Sequence, residues 1–293
     1  MFKDRFINYL KFEKRYSAHT VLAYEKEIDD FLKFLNAESI SFNLVDYKSL
    51  RFYFSTMRES GKQASSVNRS ISSLKSFYKF LHREGLILNN PTTLIKSLKT
   101  PKKLPVIVEK EKLSSLLDQL NENNSVFEDL RNYIVLELLF GTGIRLSELI
   151  KIKEHDIDFY NKKILILGKR SKERFVPIHQ TLIEELQKYL LLKKAQNFKN
   201  NSTDLIVTKE GEPAYSKLIY RIVNKYLSLV TTQKKKSPHV LRHTFATALL
   251  DKGADLNAIK ELLGHAGLSA TQIYTHNSAE RLKTIYKQAH PKA

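Results

Sequence analysis

The chain has 293 residues, 42% of them hydrophobic, no cysteine, and a formal charge of +18 with a pI near 9.7. That length and apolar content can bury a sizeable core and suggest two domains, while the charge points to a polyanionic partner, nucleic acid or an anionic surface. The missing cysteines exclude disulfides, thiolate zinc sites and cysteine nucleophiles, and they suit a reducing cytosol.

In chain order, the amino terminus MFKDRFINYLKFEK is charged throughout and has no signal-peptide core. Ser17 is the expected N-cap of a helix in which Val21, Tyr24, Ile28, Phe31, Leu32 and Leu35 recur at helical spacing. Segments 46–60 and 64–84 repeat the pattern, the second with Val67, Ile71, Leu74, Phe77, Tyr78 and Leu81 on one face and Arg69, Lys75 and Lys79 between them. Arg69 and Lys75 are candidate DNA contacts, although a solvated helix face is the better explanation of any single one.

LKTPKKLPVIV (98–108) carries two prolines and no helical period, so it reads as an extended basic linker. The expected domains are therefore 1–97, helical, and 109–293, joined by a strap that would let two basic lobes close as a C-shaped clamp. Charge agrees with two basic bodies rather than a basic tail: residues 1–100 hold 17 Lys+Arg against 10 Asp+Glu, and the remainder 32 against 21.

Beyond the linker, helices are expected near 109–120 and 127–140. YIVLELLF (133–140) is interrupted by Glu137 and falls short of the roughly 20 residues of a bilayer span. The reading is a soluble, cytoplasmic protein with no membrane partner. KKILILG (162–168) and RFVPI (174–178) read as two strands joined by the turn KRSKE, and from 180 onward the pattern is mostly helical again. The fold class is mainly α with a small β-sheet.

Six side chains stand out. Arg145 lies in GTGIRLSEL, just past a Gly-Thr-Gly break where a helix can restart, and Lys169 follows Gly168 at the hairpin tip. His239 and Arg242 lie three apart and share a helix face. His243 would complete an i, i+4 histidine pair, but a helical zinc site of the H-E-x-x-H kind needs Glu where Val240 stands. His265 follows Gly264, which is placed to stop a helix in the left-handed conformation. Ser269 and Gln272 form a capping-box pattern that places Tyr274 in the second turn of a short helix.

Together these groups suit attack on a phosphodiester. Two guanidinium forks can neutralise a pentavalent phosphate. A free phenol is only ~0.1% ionised at neutral pH, and making the phenolate unaided costs about 4 kcal/mol, so a base or a strongly cationic pocket is required. A lysine on a turn can protonate the leaving oxygen. No step requires a metal or another cofactor, and no tight Asp/Glu group suggests Mg²⁺.

These residues, in this order, resemble the tyrosine recombinase (phage integrase) family. TGIRLSEL, SPHVLRHTFAT, LLGHAGLSATQIYTH, YSAHTVLAYEKEIDDFLKFL and the ending HPKA are similar to the motifs of its Xer site-specific recombinases. The resemblance spans nearly the whole chain. It implies a helical SAM-like core-binding domain followed by a catalytic domain. It implies that Tyr274 attacks the scissile phosphate and forms a 3′-phosphotyrosyl intermediate. Arg145, Arg242 and His265 would hold the transition state, Lys169 would act as general acid, and His239 as general base or orienting partner.

The implied partner is double-stranded DNA with paired half-sites, bound by a homo- or hetero-tetramer and resolving chromosome dimers at a dif-like site. A second Xer recombinase, a septal DNA translocase and docking of 279–293 on a neighbouring protomer are also implied. One departure concerns the hairpin, where GKRSKER puts Arg170 in a position expected to be glycine. Lys172 is therefore a second candidate acid, and Lys172 and Arg174 are further candidate DNA contacts. Another departure is Ala248, which replaces a histidine common in this motif. An integrase or invertase of a mobile element, a type IB topoisomerase and a catalytically silent DNA-binding protein are the alternatives.

Overall fold

The computed structural model describes residues 2–101, 107–122, 126–168, 172–200 and 202–264. The chain divides into two compact units, Met1–Lys103 and Leu104–Ala293, and the division falls inside the segment read as a linker. Among the described residues no helix is long and apolar enough to cross a membrane.

The first unit is helical. Helix α1 (Phe2–Asn8) runs on through a π-helical turn at Tyr9–Glu13 and is followed by α2 (Ala18–Ala37), α3 (Tyr47–Glu59) and α4 (Ala64–Arg83). The first of these lies in the charged amino-terminal stretch, within the segment 1–97 expected to be helical. Ser17 caps α2 by accepting from the Thr20 N–H at 3.3 Å, and Asp46 caps α3 by accepting from the Ser49 N–H at 2.8 Å. The apolar face read on α4 is buried from Val67 to Leu81, packed against Ile28, Phe31 and Leu35 of α2 and Leu50 of α3. Aromatic pairs such as Phe31 against Tyr53, edge-on at 5.1 Å, fill this core. At the start of the linker, the Asn68 side chain exchanges two hydrogen bonds with the Leu98 backbone, at 2.7 and 2.9 Å.

The second unit is built around α6 (Phe127–Thr142), buried along its whole length except for Glu128 and Asp129 in its first turn, as expected of a helix surrounded by others. Helices α5 (Lys110–Glu122), α8 (Gln180–Ala195), α9 (Ser216–Val230) and α10 (Pro238–Asp251) pack around it. Val108 joins this unit by donating its N–H to Thr244 Oγ1 of α10 at 3.2 Å.

Between α6 and α8 lie the short helix α7 (Leu146–Leu149) and an antiparallel sheet of order β1 (Ile157–Asp158), β2 (Lys163–Leu167), β3 (Glu173–Pro177). The two longer strands lie where the apolar runs predict them. The two-residue β1 is too short to leave a period in the sequence. In the β2–β3 ladder Ile164 pairs with Val176 and Ile166 with Arg174, and all four are buried. Alternation therefore turns Arg174 toward the core. The last described helix is α11 (Leu256–Leu263), which ends at Gly264 with φ +65°, the left-handed stop that the sequence predicts.

Candidate active site

The site forms where α7, β3, α10 and α11 meet. Helix α6 ends at Gly143, whose φ of +63° turns the chain back sharply. A Cβ at Gly143 would sit 2.3 Å from Cδ1 of Phe245, so glycine is required both by conformation and by space. Arg145 follows at the start of α7. Helix α10 begins with Pro238 in its first turn, then presents His239 on the exposed side and Arg242 one turn later on the buried side.

Three arginines converge on the last carbonyls of α11. Arg242 donates through Nη2 to the Leu263 carbonyl at 2.7 Å and through Nη1 to the Gly143 carbonyl at 2.6 Å. Arg145 donates through Nη2 to the Gly264 carbonyl at 2.9 Å. Arg174 donates through Nε to the Leu262 carbonyl at 3.0 Å. A helix carboxyl end carries unsatisfied carbonyls and partial negative charge, which guanidinium groups complement. The result is a rigid cationic base at the point from which the chain continues to residue 265.

Glu148 balances part of this charge. Its carboxylate accepts from Arg145 Nη1 at 2.8 Å and from the Arg145 backbone N–H at 2.8 Å, and both of its oxygens are bonded to Arg174, at 3.1 and 2.8 Å. Burial alone would raise its pKa, but the bonds and charge of Arg174, followed by the bonds from Arg145, hold it below the usual carboxylate range. Burial, followed by the charge of Arg145, pulls Arg242 down to about 10, which leaves it protonated at neutral pH. Burial, and then the charges of Arg242, His243, Lys235 and Arg145, lower the His239 imidazole below its ordinary value. His239 is therefore neutral at pH 7 and able to accept a proton. Three guanidinium groups against one carboxylate leave a net positive charge here, which suits an anion such as a phosphate.

Of the six residues singled out in the sequence, the structure brings Arg145, His239 and Arg242 together. Lys169, His265 and Tyr274 lie outside the described residues, as do Arg170, the Ser269–Gln272 capping pattern and segment 279–293. At the foot of the β2–β3 hairpin the Gly168 N–H donates to the Lys172 carbonyl at 2.7 Å, and Lys172 is exposed.

Arg174 needs correcting. It was expected at the DNA surface, yet its side chain is 7% exposed and bonded to Glu148 and Leu262, so it belongs to the floor of the site. Arg69 is exposed, though its Nε is bonded to the buried Glu27 at 2.9 Å, and Lys75 is half-buried. The sequence reading passed over Glu148. Its position three residues after Arg145 on a helical turn was the available signal.

The model of the phage integrase family matches residues 106–281, and the model of the phage integrase N-terminal SAM-like domain matches residues 4–85. The chain belongs to the phage integrase family. Curated family members similar to it include tyrosine recombinase XerC of Listeria innocua, 40% identical over 99% of this chain and 98% of that protein. Tyrosine recombinase XerC of Bacillus pumilus is 38% identical over 98% and 95%. Among solved structures, the XerH site-specific recombinase bound to a palindromic difH substrate in a post-cleavage complex is 25% identical. It covers 90% of this chain and 78% of its own, with a TM-score of 0.73. The chain thus has a tyrosine recombinase fold: a helical SAM-like domain followed by a mainly helical unit with a small sheet.

Proposed function

We propose that this chain is a site-specific DNA recombinase of the Xer type that binds double-stranded DNA and resolves chromosome dimers at a dif-like site. The observation that carries this reading is the convergence of Arg145 and Arg242 on the end of α11, one residue before His265. It occurs in a chain 40% identical over nearly its whole length to a XerC tyrosine recombinase.

In the proposed reaction the Tyr274 hydroxyl attacks a backbone phosphate and becomes a 3′-phosphotyrosine. Arg145, Arg242 and His265 offset the charge of the pentavalent transition state. His239 takes the phenolic proton or orients the phenol. Lys169, or Lys172 if the altered turn displaces it, gives a proton to the departing 5′ oxygen. The ester conserves the energy of the broken linkage, so a free 5′ hydroxyl of another strand can reverse the step and complete an exchange. Four protomers on two paired sites would hold the resulting four-way junction.

Incubation with the chromosome of its own cell, trapping of the covalent complexes and sequencing of the attached ends tests this reading. One recurrent site composed of two inverted half-sites is expected. Attachment at random positions, or none, would contradict it.

A further inference from the structure

The proposed chemistry gives no task to Arg174, yet it is among the most heavily bonded side chains of the site. We infer that Arg174 is a positioning residue: through Glu148 it sets the Arg145 guanidinium, and through the Leu262 carbonyl it fixes the helix end that leads into residue 265. This rests on the recombinase reading above and adds to it a residue on which the reaction depends without touching the DNA.

The first support is placement. Arg174 occupies an inward position of β3, opposite Ile166 and two residues from Val176, both of which are core residues. An aliphatic side chain would satisfy packing there. Burying a guanidinium instead costs desolvation that good geometry must offset.

The second support is reach. One planar fork spans both oxygens of Glu148 at 3.1 and 2.8 Å, and its Nε reaches the Leu262 carbonyl at 3.0 Å. Glu148 passes that constraint to both the Nη1 and the backbone N–H of Arg145. Arg174 also directly follows the hairpin turn that carries Lys169. A single side chain thus ties together three of the segments that carry proposed catalytic groups.

The third support is the space kept for it. A Cβ at Gly264 would lie 3.1 Å from Arg174 Nη1 and 3.2 Å from its Cζ, closer than such contacts ordinarily come. Glycine at the end of α11 thus gives the guanidinium room. A charge-balancing role alone would need none of this, because Arg145 already faces Glu148.

Lysine retains the charge but offers its donors from a single nitrogen, so it cannot reproduce the planar fork that spans both Glu148 oxygens while Nε holds the Leu262 carbonyl. The test measures full-length wild-type protein, Arg174→Lys, Glu148→Gln and the double variant on a nicked duplex carrying the chromosomal site that the wild type labels covalently. DNA affinity, the single-turnover rate of adduct formation and thermal midpoint are read separately. Arg174→Lys is expected to lower the rate about 10- to 100-fold, the scale of a small misplacement of reacting groups, with DNA affinity within about twofold. The double variant should be no slower than the slower single variant, because both changes break one chain of contacts. Should Arg174→Lys prove too unstable to assay, Glu148→Gln carries the same expectation for rate against affinity. A wild-type rate in Arg174→Lys, a parallel loss of rate and affinity, or additive effects in the double variant would overturn the positioning role while leaving the recombinase reading intact. A wild-type protein that forms no adduct would overturn both.

Discussion

At the residue scale, His239 shows how the site sets its own protonation. Burial, followed by the neighbouring Arg242, His243, Lys235 and Arg145, disfavours the imidazolium, so the folded protein binds that proton less readily than the unfolded chain. The unfolded chain therefore takes up the proton first as pH falls. Any stability this group contributes is present above about pH 6.5 and is lost as pH drops through the lower folded value. If His239 is the base, the rate of adduct formation should show an inflection below pH 6.5 that disappears in His239→Gln. An inflection above pH 6.5, or one that survives the substitution, would remove it from that role. Arg145, His239 and Arg242 could be picked out by residue type and spacing alone. Glu148 was passed over and Arg174 was read as a DNA contact, because a carboxylate and a strand arginine have ordinary surface explanations until the ladder register shows which way each strand residue faces.

At the scale of elements, two helix ends make the site. The left-handed stop at Gly143 presents its carbonyl to Arg242, and the stop at Gly264 presents the carbonyls of α11 to all three arginines. Gly143→Ala should cost about 1–2 kcal/mol for the left-handed backbone and a further ~1–3 kcal/mol for crowding Phe245 and Leu263. Thermal unfolding checks this, and a midpoint close to wild type would show that the turn relaxes freely. The helices α2 to α6 were legible because each carries a long apolar run or period, with Ser17 marking the start of α2. Strand β1 was not, since two residues have no period.

At the scale of the molecule, two basic units carry an excess of positive charge that neither the cores nor the ion pairs consume. A protein of this kind that neutralises six to ten phosphates should lose about 10³- to 10⁵-fold in DNA affinity between 50 and 200 mM salt. Titration across that range by fluorescence anisotropy checks it, and a flat dependence would mean that backbone phosphates are not the main contacts. Fold class was readable at this scale from composition and periodicity, and the family from motifs dispersed over the whole chain. The buried position of Arg174 was not, because it depends on strand parity set by a three-dimensional ladder.

The most direct measurement is the identity of the residue joined to DNA. Trapped adducts should be digested with protease and nuclease and the modified peptide sequenced by mass spectrometry. A 3′-phosphate ester on Tyr274, lost in Tyr274→Phe while specific DNA binding persists, is the predicted result. Attachment through any other side chain, or an undiminished adduct in Tyr274→Phe, would contradict the proposed chemistry.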